Sequence, residues 1–356
     1  MNRLVTGETY MQDRPIFVIG CPRSGTTMLQ LMLHSHPRVA VPPETRFLVP
    51  AYFGRRKYGD QREQVNRRVL AEWIATGRDT KFRELGLDRA AFIDQATAGP
   101  GSLGSVIGTV FRSYAARFGK PRWGDKRPSY FKHVDILLRM FPDAQFIHLI
   151  RDGRDCVASL KEMPWYHLSS FHAISNWAEA IDFGRRNAEK LPQGSYHELR
   201  YEDLTADPEL ELKKLCGFIG EEYHPAMCEP QHVAQVAVPA HKVWHSNTHG
   251  AVTTARSGSW SQRLEPWEIA LCEDVLGERL TSYGYALSGA PKAAKEHVSA
   301  YKTAAAKRRS ARWRKTNRDR INRLREPGPV AALLTEGQRK LAGLPPRELV
   351  LSAGGA

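Results

Sequence analysis

Short apolar runs alternate with longer segments of helical period along most of the chain. Residues 15–20, PIFVIG, are apolar throughout and bounded by Pro and Gly, the pattern of a buried strand. TTMLQLMLHSH follows, with Met28, Leu31 and Met32 spaced for one helical face, and His36-Pro37 ends it. Residues 52–120 read as mostly helical, with a loop near TAGPGSLGS. RWGDK at 122–126 is short and ends a strand, and 130–141 reads as a helix. AQFIHLI at 144–150 is a second buried strand, followed at once by RDGRDCVASL and another helix. Residues 171–190 form a long helix and Ser195–Tyr201 a third strand. The next helix is capped by Asp207 with Pro208 at its first position. Strands alternating with helices predict an α/β domain whose sheet is mostly parallel. There is no internal repeat.

Composition changes this picture in two places. The chain has 356 residues and an ordinary apolar content, enough for one large α/β domain or two modest ones. No run of 18 apolar residues marks a membrane span, and residues 1–14 have no apolar core of a secretory signal. The five cysteines (Cys21, Cys156, Cys216, Cys228, Cys272) are scattered, odd in number and form no CxxC. That favours a reducing cytoplasm and no structural zinc. The net charge is +14, yet residues 291–326 hold thirteen Lys and Arg against Glu296, Asp319 and Glu326, a net +10. The expected division is therefore a domain over 1–290 and a basic, partly helical extension over 291–356.

The candidate chemistry begins at GCPRSGTTML, residues 20–29. Gly20, four residues and Gly25 make the frame of a phosphate-binding P-loop between a strand and a helix N-terminus. The Lys expected next is Thr26, followed by Thr27. An ordinary nucleoside-triphosphate loop fails at that position, and Arg23 offers the positive charge instead.

Three segments in order, CPRSGTTML (21–29), LIRDGRDCVASL (149–160) and LRYEDLTADPE (199–209), together resemble the sulfotransferase superfamily. The donor of that family is 3′-phosphoadenosine 5′-phosphosulfate (PAPS). The likeness covers roughly residues 15–287. It implies a P-loop NTPase-like three-layer fold, a central parallel sheet flanked by helices, here with the basic helical tail added. It also implies that Arg23, Ser24, Gly25, Thr26 and Thr27 hold the 5′ phosphosulfate end. Arg151 and Ser159 would bind the 3′-phosphate, and Tyr201 would lie near the adenosine. A planar guanidinium suits phosphate. The plainer alternative for Arg151, Asp152, Arg154 and Asp155 is a surface charge cluster, which Arg154 and Asp155 fit. Tyr201 has the alternative of an ordinary core or surface tyrosine. TARSGSWSQ at 254–262 loosely resembles the family's late nucleotide-covering loop, with Arg256 and Gly258 toward the 3′-phosphate and Trp260 either core or site.

Transfer of a sulfuryl group needs a base for the acceptor hydroxyl and donors for the leaving phosphate. VPPETRFLV at 41–49 resembles the acceptor segment of tyrosylprotein sulfotransferases and related bacterial enzymes. The likeness makes Glu44 the base and Arg46 an orienting or anion-binding neighbour. The alternative is a loop glutamate paired with its own neighbouring arginine. His34 and His36 are the alternative bases, as in the superfamily's cytosolic branch. WGDKRPSYF at 123–131 resembles the segment that places an active-site lysine. This assigns leaving-group support to Lys126 in preference to Arg127, the alternative being a solvent lysine.

The resemblance therefore implies in-line transfer from PAPS to a hydroxyl acceptor (glycan, lipid, small molecule or peptide tyrosine), with no metal required. His241, His245 and His249 have helical spacing, but SNT and Gly250 argue for a loop and no metal site. The rivals are a P-loop kinase-like phosphotransferase and a non-catalytic PAPS-binding interaction protein. The tail, with Trp313, Ile321 and Leu324 as a narrow apolar stripe, reads as a solvated helix or disordered extension. The sharper alternatives for it are contact with an anionic membrane surface, a polyanionic acceptor or a partner protein. Nucleic acid has no groove-reading motif behind it. The expected location is cytoplasmic, with a peripheral membrane position as the alternative. Acceptor identity and oligomeric state are not legible.

Overall fold

The computed structural model describes residues 14–233 and 252–332. Its centre is a five-stranded, all-parallel sheet: β1 (Ile16–Gly20), β2 (Val39–Ala40), β3 (Arg122–Lys126), β4 (Gln145–Ile150) and β5 (Tyr196–Arg200). The order across the sheet is β2-β3-β1-β4-β5. Lys126 pairs with Val18, and Gly20 with Leu149. The first strand is therefore central. The chain runs out to β2 and β3 on one side of it and to β4 and β5 on the other. In open parallel sheets the crevice above such a reversal, at the C-terminal strand ends, is where ligands bind.

At β1 and β4 both faces of the sheet are buried, which is why these two strands read as apolar runs and not as alternation. Ile16, Val18, Ile147 and Leu149 point to one core, shared with Leu29, Met32 and Leu33 of helix α1 (Thr26–Ser35). Phe17, Ile19, Phe146 and Ile150 point to the other. That larger core receives α2 (Leu48–Tyr58), α3 (Gln64–Thr76), α4 (Arg89–Ala98) and α5 (Leu103–Arg117). These are the helices expected across 52–120. The three-layer α/β expectation holds.

Three local differences have physical causes. The helix expected over 130–141 is split into a 3-10 turn, Pro128–Lys132, and α6 (Val134–Met140), since Pro128 opens a separate turn that closes at His133. β2 has only two residues, too short to leave a pattern. Tyr201 is not a strand residue but the first residue of α9 (Tyr201–Ala206). Beyond β4 come α7 (Gly153–Lys161) and α8 (Ser170–Lys190). α10 (Pro208–Ile219) follows α9 and is capped by Asp207, whose side chain accepts from Leu210 N. α11 (Pro266–Ser282) starts on a capping box between Glu265 and Glu268.

The basic tail forms one long helix, α12 (Lys295–Arg323), and it is docked, not free in solvent. Arg308 donates to Glu179 at 2.6 Å, and Arg312 reaches the same carboxylate. Asp319 is buried, 3.0 Å from Arg55 and accepting from Tyr52 at 3.1 Å. Beyond the helix, Glu326 holds Arg55 and Arg139. The PGP segment then lies over the start of α5, where Leu103 N donates to Pro329 O. A charge run with only a narrow apolar stripe reads as solvated; here Glu179 partners Arg308 and Arg312 of the tail, and the tail's Asp319 and Glu326 partner Arg55 and Arg139 of the domain.

Candidate active site

Every strand that ends at the crevice contributes a residue. After β1 the chain turns through Cys21–Gly25 into α1. Arg23 lies in the left-handed region, φ 73°, unusual for a residue with a side chain. Its Nε donates to Ser159 Oγ at 3.0 Å, across 136 residues of sequence. Gly25 has φ 95°, and a Cβ there would stand 2.5 Å from the Tyr201 ring. Only glycine fits between helix and tyrosine. No side chain caps α1 and no acid lies in its first turn, so its N-terminal N–H groups and positive dipole end face the loop. Ser24 Oγ is buried with no partner among the described residues.

Arg151 follows β4. Its guanidinium donates to Arg23 O at 3.1 Å and to Arg256 O at 2.5 Å, and lies 4.5 Å over the Tyr201 ring. Its Nε is buried without a hydrogen-bond partner, a charged donor available to a phosphate oxygen. Burial, with Arg151 alongside, pulls the Arg23 guanidinium below its ordinary value. Two cations held this close favour an anion between or beside them. The residues thus fit a donor with two phosphate groups: a loop and helix N-terminus for one, Arg151 with Ser159 for the other.

Arg154 and Asp155 are not a surface cluster. Asp155 is fully buried and accepts from Gly258 N at 2.8 Å, Ser259 Oγ at 3.1 Å and Trp260 N at 2.9 Å. It pins the 256–260 turn over Arg151. Arg154 pairs with Asp152 and Glu273 and stacks 3.9 Å over the Trp260 ring. Arg256 touches the site through its carbonyl, while its side chain is exposed. Sequence reasoning missed Asp155 as a positioning residue. The available signal was its place one helical turn after Arg151.

On the other side of the loop, Lys126 ends β3. Its Nζ donates to Thr27 Oγ1 at 3.3 Å and stands 3.7 Å from Glu44 Oε2. Arg127 Nε is 3.9 Å from Glu44 Oε1. Glu44 is therefore paired with the cations at the end of β3, not with Arg46, whose side chain is exposed. Lys126 is buried, not a solvent lysine. The ETR segment is anchored through its middle residue. Thr45 Oγ1 donates to Asp125 Oδ2 at 3.1 Å, and Tyr130 donates to the same oxygen at 2.7 Å. Burial pushes the Asp125 carboxyl up to about 6 against those bonds.

The alternative histidines lie elsewhere. His34 lies eight positions after Thr26 along the helix, about 12 Å at 1.5 Å per residue. His34 Nδ1 accepts from Val41 N, and burial with Lys120 nearby lowers its imidazole to about 3. His36 accepts from Arg38 N through Nδ1 and donates through Nε2 to Glu222 O. Both close the far end of α1. The histidines at 241, 245 and 249 lie outside the described residues. Among those described, no group of three His, Cys, Asp or Glu could hold a metal.

Comparison with known proteins matches residues 15–225 to the model of the Sulfotransferase family. Among curated relatives, a protein-tyrosine sulfotransferase of Drosophila melanogaster is 25% identical over 62% of this chain and 40% of its own length. Protein-tyrosine sulfotransferase 1 of Danio rerio is 28% identical over 64% of this chain and 59% of its own. The chain spans about half the length of the curated relatives it matches. Among solved structures, the sulfotransferase domain from the curacin biosynthetic pathway covers 77% of this chain and 99% of its own, with 21% identity and TM-score 0.56. The sulfotransferase domain of the Synechococcus PCC 7002 olefin synthase gives 23% identity over 77% of this chain and 97% of its own, with TM-score 0.52. With the family match over more than half its length and a loop, arginine and strand-end lysine meeting at one crevice, the chain belongs to the sulfotransferase family.

Proposed function

We propose that the chain transfers a sulfuryl group from PAPS to an acceptor hydroxyl by in-line displacement, with Glu44 as the base. The convergence of Glu44, Lys126 and Thr27 within ion-pair and hydrogen-bond distance carries this reading. Glu44 takes the acceptor proton from the open side, where it is partly exposed. Lys126 and Thr27, beside the loop, donate to the sulfonate and to the oxygen that leaves with the phosphate. Arg23, Ser24, Gly25 and Thr26 hold the 5′ end. Arg151, Ser159 and the Arg256–Gly258 turn hold the 3′-phosphate, and Tyr201 positions the adenosine end. The products are a sulfated acceptor and adenosine 3′,5′-bisphosphate; the proton leaves on Glu44 and no metal takes part. Relatives named for protein tyrosine make a peptide tyrosine the first acceptor to try. Five free thiols support a reducing, cytoplasmic setting. Among the described residues no helix is long and apolar enough to cross a membrane.

Titration calorimetry with adenosine 3′,5′-bisphosphate in metal-free buffer tests the donor assignment. The wild type binds, and Arg151→Ala weakens binding by about a hundredfold or more, the scale of losing two charge-assisted hydrogen bonds. Binding of ATP with magnesium instead, and none of the bisphosphate, would sink the reading.

A further inference from the structure

α12 has a second face that the domain does not use. Successive residues advance about 100° around a helix. Arg308, Arg312, Asp319 and Arg323, which meet the domain, therefore share one side. The opposite side carries Trp313, Ile321 and Leu324, exposed to 66%, 60% and 85%. Lys302, Arg309 and Arg320 stand along one edge of that strip, and Lys307, Arg314 and Arg318 along the other, all exposed. Among the described residues none of these six cations has a carboxylate partner. After Glu296 the only acid in the helix is Asp319, buried on the inner side.

A strip that carries Trp313, Ile321 and Leu324, with only the uncharged Ser310 and Asn317 among them, between two rows of exposed cations has the chemistry of a helix lying in a lipid headgroup layer. A second copy of the chain would bring six cations against six with no acid between them. A nucleic acid would use the cations and leave Ile321 and Leu324 without a role. We propose that the outward face of α12 seats the folded protein on an anionic bilayer, with Trp313, Ile321 and Leu324 at the acyl boundary and the flanking cations on headgroups. The inner ion pairs make this a rigid seat, so the whole domain is oriented by it. The inference stands independently of the catalytic reading, because its test needs no turnover.

The test is flotation of the full chain with vesicles of phosphatidylcholine alone or containing about one-third phosphatidylserine, at near-physiological salt. Binding is expected to the phosphatidylserine vesicles and to be weak on phosphatidylcholine. The triple variant R309E/R314E/R318E should bind about a hundredfold less. The double variant W313S/L324S should bind about tenfold less. Unchanged thermal midpoints show that both variants fold. Equal binding to both vesicle types would overturn the proposal. So would loss of binding in the charge variant with none in the apolar variant, which would mark a plain polyanion surface. A dimer in sedimentation that W313S/L324S dissociates would make the face a self-interface and overturn it too.

Discussion

The two sides of the crevice are built differently. On the side proposed for the donor, Arg23, Ser159, Arg151 and Asp155 are knit by hydrogen bonds of 2.5–3.1 Å, and most are nearly fully buried. On the side proposed for the acceptor, Glu44 is held by two longer ion pairs of 3.7 and 3.9 Å and remains 28% exposed. Its backbone is nevertheless fixed through Thr45 and Asp125. A tight half suits a constant donor whose charges must be met in one geometry. A half with an anchored backbone and a less constrained carboxylate suits a group that meets varied hydroxyls and moves a proton.

Each side can be broken separately. The largest effect is expected for Glu44→Gln: turnover falls by about 10²–10⁴, the usual span for losing a general base, while affinity for adenosine 3′,5′-bisphosphate is retained. Parallel assays of rate and calorimetry check this; a variant that loses both would erase the distinction between the halves. Asp155→Asn should weaken bisphosphate binding by about tenfold through release of the 256–260 turn, with a smaller change in the maximal rate. A larger fall in maximal rate than in affinity would contradict that assignment.

Asp125 gives a pH signature. Its carboxyl is raised in the folded state to about 6, so the fold favours the protonated form. Its contribution is most favourable below the ordinary carboxylate value and is lost as pH rises through 6. Relative to Asp125→Asn, the wild type should lose on the order of 2–3 kcal/mol between about pH 4 and pH 7. Denaturant melts across that range measure it, and parallel curves would refute it. The smallest effect on catalysis belongs to His34→Asn. The thermal midpoint should drop, because a buried ring packed on Phe118 is lost, while turnover stays within about twofold. A collapse of turnover in a folded His34→Asn would return the histidine to candidacy as base.

Part of the crevice was legible because Arg23, Arg151 and Tyr201 each lie within three positions of the end of a strand. An apolar run followed by a loop and a helix start is a local pattern, and Arg23 and Arg151 both occur in such places. Glu44 rested on resemblance alone. Its partners could not be read, because Lys126 and Arg127 lie 82 and 83 residues further along the chain and come near only when β3 pairs beside β1. Asp155 looked like a surface charge for the same reason: its three donors come from residues 258–260, about a hundred positions away. The far ends of both contacts are set by topology, which leaves no periodicity in either segment.

By itself the amino-acid sequence determined the class of fold, a P-loop frame without its lysine and the order of the three segments that carry the family resemblance. Burial of both sheet faces, helix capping and turn chemistry act over a few residues and mark the chain directly. Only the tertiary structure decided which carboxylate meets which cation. Glu44 turned from Arg46 to Lys126 and Arg127, while Glu179 drew Arg308 and Arg312 of the basic tail onto the domain and the tail's own Asp319 and Glu326 met Arg55 and Arg139. Ion pairing acts between side chains brought close by the fold, and charge alone carries no record of where its partner lies.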